Sequence, residues 1–303
     1  MTLRNLCSRF IGFKGNFMPL INKLVVIGVG LIGGSLARAL RDKGEVAEIV
    51  GVGRGAANLL RAVELGVIDR YTHDPVAAVE GADMVFLAIP VCSIVAMTAR
   101  IAPALAPGCV VTDGGSVKGG IVAACEPLMP PGTFFVGGHP IAGTEKSGVD
   151  ASFLTLYQGK RCIITPTPET DPVALDKVVR MWECAGSEVM IMDVAKHDRV
   201  LAAISHLPHM VAYALVKAVG DYDRFDESIL KYTAGGFKDF TRIASSDPVM
   251  WRDIATMNRE SVLELMDFFA EYLAELRRLV DKGDPRELEE FFARSKEKRD
   301  AIQ

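Results

Sequence analysis

His139 lies in FFVGGHPIAGTEKSG (134–148), after an apolar run and amid glycines. A side chain there reaches a ligand without burying its own backbone polar groups. Imidazole is the natural acceptor of a hydroxyl proton near neutral pH, so this residue is the candidate general base. His73, in a surface turn, and His197, near a helix start, are less well placed. Asp113-Gly-Gly-Ser-Val-Lys118 offers a hydroxyl and a cation after another apolar run. Ser116 there either donates to a substrate oxygen or caps a helix, a role serine often fills. His206 and His209 fall three apart on one helical face, a spacing compatible with a metal. No third ligand is evident, so they read as cleft or core histidines. The segment GGFKDFTRIASSDPVMWRD gathers Lys238, Asp239, Arg242, Trp251 and Arg252 between helices. That is either an anion clamp or a set of solvated helix-flanking charges.

Such groups need a partner molecule held against them, and the glycine-rich GVGLIGG at Gly28 to Gly34 supplies its cradle. It stands between the apolar run Lys23 to Ile27 and the helix-like Ser35 to Arg41. Gly28 permits the tight turn, Gly30 admits a pyrophosphate to the backbone, and Gly33 lets helix and strand pack closely. Leu31 and Ile32, at the start of that helix, offer N–H groups to phosphate. The cofactor is therefore of the nicotinamide or flavin type. The acidic residue that usually binds the ribose 2′-hydroxyl would stand at the end of the second strand. Here that strand reads EIVGVGRG, placing Gly53 and then Arg54 at the position. Without a carboxylate to repel a 2′-phosphate, NADP is permitted as well as NAD; Arg54 either pairs with that phosphate or points into solvent.

Strand-like runs at Leu24 to Ile27, Glu48 to Val52, Met84 to Ile89, Cys109 to Thr112, Thr133 to Val136, Arg161 to Thr165 and Glu188 to Met192 alternate with helical intervals. Their continuous β-branched character fits strands buried on both faces of a doubly wound parallel sheet. After Asp193 the pattern becomes helical. Val194 to Val219 reads as one helix kinked at Pro208. Pro248 to Val280 reads as another, with Trp251, Ile254, Met257, Met266, Phe269 and Leu273 spaced for a buried stripe. A last helix starts at Asp284-Pro285. This divides the chain into a poorly defined extension (1–20), a dinucleotide-binding α/β domain (21–192) and an all-helical domain (193–303). The apolar surface of those helices predicts burial against a second subunit.

The 303 residues carry a net charge of −4 and are 50% hydrophobic, which predicts a globular chain without a nucleic-acid footprint. No uninterrupted apolar stretch reaches the ~18 to 20 residues of a membrane span. Six scattered cysteines without a CxxC predict reduced thiols and a cytoplasmic location.

Taken together and in order, GVGLIGGS, DGGSVKG, GGHPIAGTEKSG, SHLPH and GGFKDFTRIASSDPVMW resemble the prephenate dehydrogenase family, from Ile21 to the C-terminus. The family includes arogenate and cyclohexadienyl dehydrogenases of tyrosine biosynthesis. The resemblance implies a Rossmann domain, a helical dimerisation domain, and oxidative decarboxylation of prephenate to 4-hydroxyphenylpyruvate with NAD or NADP reduced. It makes His139 the catalytic histidine, with Ser116 sharing the ring hydroxyl and contacting the cofactor. Arg242 would hold a substrate carboxylate, His209 and Trp251 would line the cleft, and Thr144 and Glu145 would shape its entrance. A carboxylate near the substrate side chain, such as Glu145, would favour arogenate. The length implies a monofunctional enzyme with no fused mutase or regulatory domain. The remaining rivals are a generic 2-hydroxyacid or imine oxidoreductase and a non-catalytic dinucleotide sensor.

Overall fold

The computed structural model describes residues 18–144, 146–222 and 228–302. The apolar runs form β1 (Ile21–Ile27), β2 (Val46–Val52), β3 (Arg70–Thr72), β4 (Met84–Leu87), β5 (Val110–Asp113), β6 (Phe134–Pro140), β7 (Arg161–Thr165) and β8 (Glu188–Ile191). They build one sheet in the order β3-β2-β1-β4-β5-β6-β7-β8. Helices α1 (Leu31–Asp42), α2 (Ala56–Glu64), α3 (Pro75–Val79), α4 (Val91–Ile101), α5 (Gly119–Cys125) and α6 (Pro172–Cys184) connect and cover the strands. Strand alternation explains the double cover. Leu24 and Val26 of β1 join one core with Leu36, Phe86 and Trp182, while Val25 and Ile27 join the other with Val85, Ile94 and Ile121. The strand order reverses between β1 and β4, which opens the crevice where doubly wound sheets bind ligands.

Two features depart from the expected all-parallel sheet. β3 is a three-residue edge strand, Arg70-Tyr71-Thr72, too short and too polar to show a hydrophobic pattern. β7 runs antiparallel to β6, pairing His139 with Ile163. Strand β6 also continues to Pro140, so His139 stands on a strand and not in the loop after it.

The C-terminal part consists of α7 (Val194–Leu201), α8 (Leu207–Gly220), α9 (Gly235–Thr241), α10 (Pro248–Met257), α11 (Arg259–Lys282) and α12 (Pro285–Asp300). Val194–Gly220 is one continuous helical run, in which a π turn at Ala202–His206 joins α7 to α8 just before Pro208. The wider turn accommodates the loss of the interior hydrogen bond that the proline cannot donate. By length and composition the combined rod Val194–Gly220 matches a membrane-spanning helix. Its inward face nonetheless carries the polar His197, Asp198 and His206, all buried against protein. The expected helix from Pro248 to Val280 is two helices, divided at Asn258. Trp251 and Ile254 on α10 are buried, whereas Met266, Phe269 and Leu273 on α11 are exposed in the single chain.

Candidate active site

The crevice between β1 and β4 opens over the glycine turn. Gly28 has φ of 101°, and a Cβ there would lie 2.2 Å from the carbonyl oxygen of Ala88. A Cβ on Gly33 would meet the Gly28 carbonyl, while Gly30 faces open space. Helix α1 carries no side-chain cap and no acidic residue in its first turn, leaving the N–H groups around Leu31 and Ile32 for a ligand. Helices α6, α7, α10 and α12 are, by contrast, each capped by an aspartate. Open backbone, free donors and a positive helix end fit a dinucleotide pyrophosphate. Gly53 and Arg54 follow β2 as expected, and the Arg54 side chain is exposed.

On β6, two strands from β4, His139 is buried and its Nδ1 lies 2.9 Å from Nε2 of His197. His197 Nδ1 lies 2.8 Å from Oδ1 of Asp198. The same carboxylate accepts the backbone N–H groups of Lys118 at 2.8 Å and Gly119 at 2.7 Å. Burial opposes ionisation of Asp198, but His197 and these two N–H groups outweigh it and hold the carboxyl below its ordinary range. An ionised carboxylate only accepts, so His197 carries a proton on Nδ1, and in the neutral ring its Nε2 is the acceptor. His139 must then donate from Nδ1, which leaves its own Nε2 unprotonated. Burial above all, with the Lys118 ammonium as a further cause, pushes the His139 pKa well below the usual histidine range. The imidazole is therefore neutral and able to take a proton.

Loop 113–119 is braced from both ends. Asp113 is fully buried, pairs with the equally buried Lys118 ammonium, and accepts N–H bonds from Gly115 and Gly138. Ser116 stands between these anchors, half-buried, and its hydroxyl has no protein partner among the described residues. It does not cap α5, whose N-cap is Lys118. The Lys118 cation, expected near a ligand, is instead turned inward and neutralised by Asp113.

Across the cleft, His209 stacks on Trp251 with ring centroids 3.6 Å apart. Its Nδ1 donates to the Ser205 carbonyl at 2.9 Å. Burial, aided by the charge of Arg242 and opposed by the Ser205 bond, lowers its pKa. Arg242, on the short turn after α9, is exposed and unpaired among the described residues. Arg252 is instead committed to Asp253 at 2.6 Å. Asn258 Nδ2 donates to the Asp198 carbonyl and to Nδ1 of His206, which leaves a proton on Nε2 of His206. That buried N–H and the Trp251 indole N–H have no protein partner. Among the described residues no cluster suited to a metal occurs. Thr144 is exposed, with its hydroxyl accepting from the Lys146 N–H. Glu145 lies outside the described residues.

Sequence reasoning therefore passed over His197 and Asp198, the pair that fixes the tautomer of His139. The signal available was the adjacent His-Asp dipeptide just inside a helix that Asp193 caps.

A doubly wound sheet with a glycine cradle, beside a neutral histidine oriented by a second histidine and a carboxylate, defines a dinucleotide-dependent dehydrogenase. Residues 36–191 match the prephenate dehydrogenase nucleotide-binding domain, and residues 193–294 match the prephenate dehydrogenase dimerization domain. The chain belongs to the prephenate dehydrogenase family. It is 36% identical to the cyclohexadienyl dehydrogenase of Zymomonas mobilis, covering 94% of this chain and 97% of that protein. The crystal structure of prephenate dehydrogenase from Aquifex aeolicus with hydroxyphenyl propionate and NAD+ is 42% identical. It superposes with a TM-score of 0.88 over 93% of this chain and 98% of that one. Synechocystis arogenate dehydrogenase, at 31% identity, gives a TM-score of 0.79 over 93% and 100% of the two chains.

Proposed function

We infer that the protein catalyses oxidative decarboxylation of prephenate to 4-hydroxyphenylpyruvate, reducing a nicotinamide dinucleotide in tyrosine biosynthesis. The observation that carries this reading is the His139–His197–Asp198 chain, which orients a buried imidazole on β6 in a chain of this family that also carries the Gly28–Gly33 cradle.

The cofactor, held by the Gly28–Gly33 turn and α1, supplies the hydride acceptor. His139 Nε2 takes the proton of the substrate's ring hydroxyl as the carbinol carbon loses hydride, so the hydroxyl becomes a carbonyl. The electron pair of the broken O–H bond forms the C=O bond. The resulting dienone is a vinylogous β-keto acid. Its C–CO₂ bond breaks, the electron pair enters the ring, and the product becomes aromatic. General-base help of this kind is worth roughly 10²- to 10⁴-fold. His197 spreads the positive charge arriving on His139, and Asp198 holds His197 in the accepting tautomer. Ser116 shares the substrate hydroxyl. Arg242 grips a carboxylate through two parallel hydrogen bonds, with His209 and Trp251 forming the wall beside it and Thr144 and Glu145 the entrance.

The cofactor is NAD or NADP, since Gly53 presents no carboxylate to a 2′-phosphate and the neighbouring Arg54 is exposed. A second copy of the chain covers α11, whose Leu263, Met266, Phe268, Phe269, Tyr272 and Leu273 are exposed in the monomer. The five described cysteines form no disulfide, in keeping with a reducing cytoplasm. A dual-substrate enzyme that also accepts arogenate is the second reading, favoured by the cyclohexadienyl dehydrogenase relative. Initial rates of NAD+ and NADP+ reduction with prephenate and arogenate in parallel test these assignments. Prephenate turnover is expected; no turnover of either substrate would overturn the reading.

A further inference from the structure

The residue usually responsible for the adenosine ribose is missing, and the fold brings another group to its place. In doubly wound sheets a carboxylate at the end of β2 accepts a hydrogen bond from the ribose 2′-hydroxyl. Here Gly53 occupies that position and has no side chain to offer. Strand β3 lies parallel beside β2, with Val52 opposite Thr72. The first residues beyond the paired strands are therefore Gly53 and His73, side by side on the crevice edge. His73 is exposed, and its Nδ1 lies 2.8 Å from the Gly53 carbonyl oxygen. A carbonyl only accepts, so Nδ1 carries the proton and the neutral ring keeps a bare acceptor at Nε2. Tyr71 meets the ring edge-on, with centroids 5.8 Å apart. The neighbouring carboxylate, Asp74, is already engaged: it caps α3 through the Val76 N–H and faces Arg100 at 3.8 Å.

We propose that His73 is the ribose-reading residue of this chain, its Nε2 accepting the hydrogen bond from the adenosine 2′-hydroxyl that a carboxylate on β2 would otherwise accept. The Gly53 carbonyl sets the tautomer, so the glycine contributes through its backbone to the same recognition. The inference rests on the dinucleotide reading above and names the group that discriminates within it.

The test is equilibrium binding, followed by quenching of tryptophan fluorescence, of NAD+ and of NAD+ lacking the adenosine 2′-hydroxyl. Wild-type protein and His73→Phe, which keeps the aromatic contact with Tyr71 but has no acceptor, are compared. The wild type is expected to prefer NAD+ by about fivefold, the worth of one neutral hydrogen bond. In His73→Phe the two ligands should bind equally, with NAD+ weakened to the level of the deoxy analogue. A variant that keeps the wild-type preference, or a wild type that shows none, overturns the role of His73 while leaving the dinucleotide site standing. Failure of the wild type to bind either ligand overturns both.

Discussion

Replacing His197 by phenylalanine tests the relay without touching the cleft. His197 is fully buried, and its role passes through the 2.9 Å bond to His139. Phenylalanine fills similar volume but cannot accept, so the His139 Nδ1–H loses its partner and the ring its fixed tautomer. As His139 becomes an imidazolium, the lost bond is a charge-assisted one, worth about 1.5–3 kcal/mol. At roughly 1.4 kcal/mol per decade, kcat should fall about 10- to 150-fold. That is less than removing the base itself should cost. KM should change little. Steady-state rates over a range of prephenate concentrations, read by absorbance of the reduced nicotinamide, give both quantities. An unchanged kcat, or a raised KM alone, would show His197 to be packing and refute the relay.

Arg242→Gln should raise KM for prephenate about 10- to 100-fold with a smaller change in kcat, since a charge-assisted pair is lost in ground and transition states alike; an unchanged KM removes the clamp. Lys118→Met leaves the buried Asp113 carboxylate without its cation and should cost about 3–5 kcal/mol in denaturant unfolding. Adding Asp113→Asn should recover part of that loss; a single variant as stable as wild type contradicts the bracing of the loop. Burial lowers the His206 pKa from 6.5 to about 4. Below 6.5 the unfolded chain takes up a proton that the folded chain refuses until about 4, so stability falls as pH drops through this window. Thermal melts should show a shallower fall in His206→Gln than in wild type, and equal slopes would contradict the assignment.

Much of the frame was legible because it is written in local pattern. The β1 run and GVGLIGG are contiguous, and continuous β-branched strands between helical intervals imply a doubly wound sheet. Strand direction has no such signature: nothing in the apolar content of Arg161 to Thr165 reveals that β7 runs against β6. Strand β3 was missed because its pairing with β2, not its own hydrophobicity, makes it a strand. In the site, His139, Ser116 and Arg242 stand in segments whose glycines and charges mark them individually. The relay does not, because its members come from β6 and α7, 58 positions apart. A lone histidine near a helix start gives no sign of the partner the fold supplies. The stripe on Pro248 to Val280 was read as continuous because periodicity carries through Asn258, where the backbone turns and sends Met266, Phe269 and Leu273 outward.

The central claim is that the unprotonated nitrogen of His139 removes the substrate's hydroxyl proton. It is tested most directly by measuring prephenate affinity and single-turnover hydride transfer for His139→Asn beside the wild type. Binding within about threefold of wild type with hydride transfer slowed roughly 10²- to 10⁴-fold is the predicted result. Hydride transfer at a near-normal rate in that variant would contradict it.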